Sequence, residues 1–284
     1  MIRKLLPVIL VLALASIACG FHVNIPINTI TPGPMVTDQI NLPSPDSTQV
    51  VDLSLAFGAG TLNLHPGEGA LVSGTATYNI ADFKPIVTSN GSTVRIEQGN
   101  WHLTGIPDLS NIKNNWDLSL GNHPLDLRID AGAYHAEYQF GGLALDNLTV
   151  KDGASDVKMD FASPNLTEMS LLSYETGASN VSLTGLGNAN FSSLSFKSGA
   201  GNFTLDFTGT LKRDSSVNIE TGVSNMTLVI PSGIPVQLNV DGGLSNVTYD
   251  SAWSKSGNLY TQKGSGPQLT IVVHIGAGNL TLTK

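Results

Sequence analysis

The chain has 284 residues, 41% of them hydrophobic and 13% charged, with 30 glycines and a single cysteine. That balance excludes a disordered chain, and the absence of any capped run of helical period after the first residues excludes a helical bundle. The net charge of −8 excludes the clustered positive surface that nucleic acid requires, so no nucleic-acid partner is expected.

In chain order, Met1-Ile2-Arg3-Lys4 is a short positive segment, Leu5 to Ile17 is apolar, and Ala18-Cys19 follows at once. The spacing predicts an export signal over residues 1–18. The stretch "LASIAC" resembles a bacterial lipobox, with Ser16 standing where Leu is usual. The resemblance implies that Cys19 becomes the lipidated first residue and holds the protein to the cell membrane on its extracytoplasmic side. Cys19 has no second cysteine to pair with, so no internal disulfide is expected. Residues 19–47 are rich in Pro, Thr, Asn and Ser and read as a flexible tether.

Residues 48–123 form an opening β module and connector, with a corner at Gly58, strands near Leu71 to Tyr78 and Thr93 to Gln98, and a less regular stretch around Trp116. A repeat then governs residues 124–284. Aligned on glycine, it reads Gly132-Ala-Tyr-His, Gly153-Ala-Ser-Asp, Gly177-Ala-Ser-Asn, Gly199-Ala-Gly-Asn, Gly222-Val-Ser-Asn, Gly243-Leu-Ser-Asn and Gly276-Ala-Gly-Asn, in steps of 21, 24, 22, 23, 21 and 33 residues. Alternating apolar runs flank each motif, such as Leu194-x-Phe196 before Gly199 and Phe203-x-Leu205-x-Phe207 after it. Period-two alternation predicts half-buried strands, so each unit is strand, corner, strand, loop. The glycine is expected to supply a backbone conformation closed to other residues, and the residue after it to tuck inward. Asn180, Asn202, Asn225, Asn246 and Asn279 are expected to bond the local backbone and, if units stack, one another. Residues 251–268 interrupt the array as an inserted loop, and residues 269–284 are expected to be a terminal coil that closes it.

Columns across units test stacking. Two residues before each glycine stand Asp130, Lys151, Glu175, Lys197, Glu220, Asp241 and His274, with sign alternating through the first five. Stacked strands hold equivalent residues about 4.8 Å apart, where opposite charges help and like charges hurt. The expected fold is all-β, a β-solenoid of stacked coils of about 22 residues; the alternative is an antiparallel β-sandwich or meander with hairpin corners.

The stretches "GTATYNIADFKPIVTSNGSTVRIEQG" and "HPLDLRIDAGAYHAEYQFGGLALDNLTVKDGASDVKMDF", with the successive GAGN and GVSN corners, resemble the bacterial toast-rack proteins. These are related to adhesin-like surface domains and to the C-terminal domain of LiaF-type envelope-stress proteins. The resemblance spans residues 50–284 and implies a rack of strands outside the membrane; no catalytic residue set comes with it.

The remaining chemistry is sparse. Nine Asn-x-Ser/Thr matches, five of them corner asparagines, read as structural rather than as glycan acceptors. A calcium among Asp146, Asp152 and Asp156 is weighed and set aside, and the six histidines show no paired metal spacing, so no cofactor or metal is expected. Asp160 and Asp206 share a column without an adjoining base, so they read as solvated rather than as a glycosidase pair. Trp253 and Tyr260 in the inserted loop are candidate contact residues, with packing of the cap as the alternative. The expected function is non-enzymatic: a cell-surface lipoprotein whose adhesin-like β-repeats contact an unknown protein or glycan, or scaffold the envelope. The alternatives are an envelope-stress accessory domain of the LiaF type and a carbohydrate-active enzyme.

Overall fold

A computed structural model describes residues 32–99 and 111–284. The export signal, Cys19 and Trp101 therefore lie outside the described residues. The described chain is built of strands: β1 (Val36–Pro43), β2 (Val51–Pro66), β3 (Ala70–Tyr78), β4 (Pro85–Asn90), β5 (Thr93–Gln98), β6 (Asn114–Leu120), β7 (Leu125–Gln139), β8 (Leu145–Lys151), β9 (Ala154–Asp160), β10 (Met169–Thr184), β11 (Phe191–Asp206), β12 (Ser215–Val229), β13 (Val236–Thr248), β14 (Ser254–Ser256), β15 (Leu259–Gln262) and β16 (Leu269–Thr283).

Each long strand passes straight through its glycine corner and remains paired on both sides of it. In β11, Phe196 lies beside Tyr174 and Ile219 before the corner, and Phe203 lies beside Val181 and Met226 after it. All these pairings are parallel and in register, which decides for stacked coils against the antiparallel meander. The corner folds one arm of each strand onto the other: the Phe196 ring on the first arm meets the Phe203 ring on the second edge-on, at 5.2 Å. Inward positions of both arms are apolar and buried, and one continuous core runs from Ile40 to Leu282. Close to 25 cal/mol per Å² of buried apolar surface stabilises such a core, but no single coil can collect it without neighbours on both sides.

The sheet order is β1-β3-β6-β2-β7-β8-β10-β11-β12-β16-β13-β15-β14; β5 continues the β6 position along β2 and carries β4, while β9 continues β8 between β7 and β10. Two expectations are corrected by this order. The last coil is not terminal: β16 threads between β12 and β13, parallel to both. Stacking β13 directly on β12 would set Glu220 beside Asp241, whereas the observed order puts His274 between them. Part of the tether is structured, because β1 pairs antiparallel with β3 and buries Ile40. The opening module joins the stack directly, since β2 stacks in register on β7 over both arms.

The role of the corner glycine differs as well. None of the seven array glycines that open a corner has a positive φ. They are required because the corners touch: a Cβ on Gly199 would sit 2.7 Å from the Gly177 carbonyl oxygen, one on Gly222 2.5 Å from that of Gly199, and one on Gly276 2.8 Å from that of Gly222. The left-handed requirement falls instead on the third motif position, as at Gly201, with φ 148°. The residue between them points outward, and Val223 is 64% exposed.

Gly222→Ala should therefore cost about 1–3 kcal/mol of stability, as overpacking does. Gly243→Ala, where a Cβ would stand 3.3 Å from the Gly276 carbonyl oxygen, should cost less. Urea titrations of the two variants check the order.

Candidate functional site

The corner asparagines form a side-chain ladder on the outside of the bend. Asn202 Nδ2 donates to Asn180 Oδ1 at 2.9 Å, Asn225 to Asn202 at 3.1 Å, and Asn279 to Asn225 at 2.9 Å. Asn246 stands in register beside Asn279 at the end of the row. In-register parallel strands repeat one position at the strand spacing, which suits an amide that both donates and accepts along the stack. The corner glycines Gly153, Gly177, Gly199, Gly222, Gly243 and Gly276 line up in the same manner, Gly153 opening a corner that ends in Asp156.

Inside the bend the second row of corner residues is polar, and most of its hydroxyls are paired; Ser198 Oγ, between Thr176 and Thr221, has no partner among the described residues. Thr176 Oγ1 lies 2.5 Å from Ser179 Oγ, and Thr221 Oγ1 lies 2.7 Å from Ser224 Oγ, all four side chains buried. Where the corner has Asp152, three hydroxyls converge on its carboxylate: Tyr174 donates at 2.7 Å, Tyr134 at 3.2 Å, and Thr176 donates to the other oxygen. Tyr138, wholly buried, donates to the Tyr134 hydroxyl at 3.2 Å. Asp152 is thus a structural acceptor in a seam of hydroxyls. Burial, with the Asp152 charge behind it, pushes the Tyr134 and Tyr174 phenols far above their ordinary range, and burial beside Tyr134 does the same to Tyr138.

The return loops on the far side of each coil use asparagine too. Asn165, fully buried, accepts from the Leu145 N–H at 2.9 Å and donates to the Leu145 carbonyl at 2.8 Å. Asn188 donates to the Phe161 carbonyl, and Asn190, also buried and with φ 56°, donates to the Thr167 carbonyl at 2.7 Å. These three tie each loop to the coil before it. Asn165 and Asn190 are two of the Asn-x-Ser/Thr matches outside the corners, and their recurrence in the loops at coil spacing is the sequence signal for this role.

The outer faces of the two arms differ chemically. The first arm carries the charged column, with Lys151 Nζ 3.0 Å from Glu175 and Lys197 Nζ 3.3 Å from Glu220. Lys151 stands in register between Asp130 and Glu175, while the Asp130 carboxylate is held by Arg128 at 2.6 Å. These pairs are half exposed and contribute a few tenths of a kcal/mol each. The second arm, from β10 onward, presents the asparagine ladder and beside it Ser182, Thr204, Thr227, Thr281 and Thr248, in register and without charge. In the +7 column, Asp160 accepts from Thr184 at 2.7 Å, and Asp206 accepts from the Thr208 N–H at 2.8 Å.

Trp253 and Tyr260 are not contact residues. They are 6% and 2% exposed and belong to the core. The inserted segment folds as the β14–β15 hairpin, which pairs antiparallel with the first arm of β13 and covers its edge. Gln262 fastens it by donating to the Pro231 and Ile234 carbonyls at 2.8 and 3.0 Å. Trp116 is likewise wholly buried.

The tyrosine seam gives a pH dependence whose sign follows from proton counting. Below the ordinary phenol pKa of about 10, both folded and unfolded chains keep these protons. Above it the unfolded chain releases them and the folded chain does not, so stability falls as pH rises. In an alkaline titration, a late class of tyrosinate absorbance should appear only together with loss of the β circular dichroism signal. Asp152→Asn should shift that joint transition.

Comparison with known proteins agrees with the stack. The family model described as the N-terminal domain of toast_rack, DUF2154, matches residues 31–171 and 164–229. No curated protein matches the chain. Among solved structures, a candidate cell-adhesion protein from Clostridium sporogenes ATCC 15579 is similar over 88% of this chain and 99% of its own, at 20% identity and TM-score 0.50, which is a likeness of fold. A candidate adhesin from Bacteroides fragilis NCTC 9343 matches over 88% of this chain and 97% of its own, at 10% identity and TM-score 0.37. The family match spans most of the described strands, and the chain belongs to the toast-rack family.

Proposed function

We propose that this toast-rack protein is a non-enzymatic surface protein, held to the cell membrane by lipid on Cys19, that acts by contact with a protein or glycan. The observation that carries the reading is where the polar side chains spend their hydrogen bonds. Asp152 and the loop asparagines are committed to holding coil on coil, and the paired corner hydroxyls to closing the bend within a coil. What the molecule offers outward is a broad, regular face: a charged strip on the first arm and a neutral amide and hydroxyl strip on the second. A repeating face suits many weak contacts summed over its length, since linked contacts gain avidity without any one being strong. The adhesion named for the Clostridium sporogenes relative supports the same reading.

The anchor and the face are tested separately. In cells carrying the full chain, Cys19→Ser should move the protein from the membrane fraction to the soluble or secreted one. Retention in the membrane would refute lipid anchoring at that residue. Thr204→Lys with Thr227→Lys should reduce capture of envelope extract by the full chain about tenfold while leaving its circular dichroism unchanged. Equal capture by the variant would remove the second arm from the contact surface.

A further inference from the structure

The ends of a stacked sheet are its vulnerable places, because the last strand has unpaired N–H and C=O groups that will take up any suitable strand. Among the described residues this fold ends in four such edges, and three of them discourage self-pairing. Edge strand β1 is broken by a register shift at Leu42/Pro43 and carries Asp38, which accepts from Tyr78 at 2.7 Å. Edge strand β14 is three residues long with Lys255 at its centre, so antiparallel self-pairing would oppose lysine to lysine. The uncovered second half of β13 is bracketed by Asp241 and Asp250, which antiparallel self-pairing would set against each other.

The fourth edge, β4, has none of these features. It pairs only with β5, and among the described residues nothing pairs with its other side. Its sequence is Pro85-Ile-Val-Thr-Ser-Asn90, uncharged, with Pro at the end. Every residue from Ile86 to Asn90 is exposed. Ile86 and Val87, on opposite faces of the strand, are 46% and 39% exposed. The charged residues of the adjoining strand are settled between themselves, Arg95 Nε lying 2.7 Å from Glu97.

We infer that β4 is the docking edge for a second copy of this chain, paired antiparallel about a two-fold axis at Thr88. That register sets Thr88 opposite its own symmetry mate, Val87 opposite Ser89, and Ile86 opposite Asn90. It brings no like charges together, although the whole chain has a net charge of −8. Thr–Thr pairs are among the favourable cross-strand pairs, and a two-fold axis is the commonest way for identical chains to meet. The main-chain bonds give the affinity, as in other cases where a sheet edge takes up an added strand. The dimer continues the sheet through both copies and leaves the outer faces of the second arms free for contact.

The test is disulfide trapping of the full chain in its membrane. Thr88→Cys places two thiols opposite each other in the proposed register. Thr270→Cys, exposed on the outer face of β16, serves as the control, and the unsubstituted chain, with Cys19 alone, is the blank. Under mild oxidation Thr88→Cys should give at least about fivefold more of a band at twice the mass of the single membrane-bound chain than Thr270→Cys. Adding Val87→Lys and Ser89→Lys, which oppose lysine to lysine on both sides of Thr88, should return the band to the control level. Equal trapping at Thr88 and Thr270, a band indifferent to the two lysines, or linkage of Thr88→Cys to a protein of another mass would each overturn the inference.

Discussion

The structure depends on how closely one corner lies on the next. With the carbonyl oxygen of one corner glycine 2.5 to 2.8 Å from where a Cβ on the next would stand at Gly199, Gly222 and Gly276, those positions can hold nothing larger than hydrogen. That contact fixes the vertical alignment of the coils. Once it is fixed, every other position along the strand is aligned too, because parallel in-register pairing propagates from the corner outward along both arms. The apolar columns, the amide ladder and the charged column are consequences of one alignment.

A sharp bend in a continuous strand leaves polar groups in awkward places, and the chain answers on both sides of it. Outside, the asparagines bond along the stack; inside, hydroxyls bond in pairs or converge on Asp152. An unpaired buried polar group costs about 1–3 kcal/mol, so a seam of this kind is tolerable only when nearly every member has a partner. A serine at the third motif position completes the inner seam and a glycine does not: Ser198 Oγ, in the Gly201 corner, has no partner among the described residues. Serine at Ser179 and Ser224 supplies a hydroxyl to the neighbouring threonine, whereas Gly201 takes up a backbone conformation that serine avoids.

Much of this was legible because it repeats. The period, the in-register columns and the asparagine ladder all follow from aligning seven short motifs, since identical residues at identical places carry the same physical demand. What did not repeat was misread. The threading of β16 between β12 and β13 breaks the rule that sequence neighbours are spatial neighbours, and only the long step of 33 residues and the sequence of charges Glu220, Asp241, His274 hinted at it. The strand β1 hides in a proline-rich stretch because its burial is slight, with Ile40 its one buried residue. Trp253 and Tyr260 looked like exposed grips because an insertion in a repeat normally protrudes; here the array ends at that point, and an exposed strand edge needs covering more than a loop needs solvent. Strict alternation from the buried Thr221 would point Val223 inward; at the corner the alternation breaks, Gly222 and Val223 both face out, and it resumes with Ser224 buried against Thr221.

A stack of this kind separates the tasks of its surfaces. Interior positions answer only to packing, so they drift among Leu, Ile, Val, Phe and Met from coil to coil without altering the outline. The corner glycines answer to contact between coils, and where that contact is closest, at Gly199, Gly222 and Gly276, they admit almost no substitution. The outward positions of the arms answer to neither demand, and they are the part of the chain that can differ freely between members of a family built on the same corners. A protein that works by surface contact gains from this division, because its contact face can be rewritten column by column while the glycines and asparagines beneath keep the coils aligned.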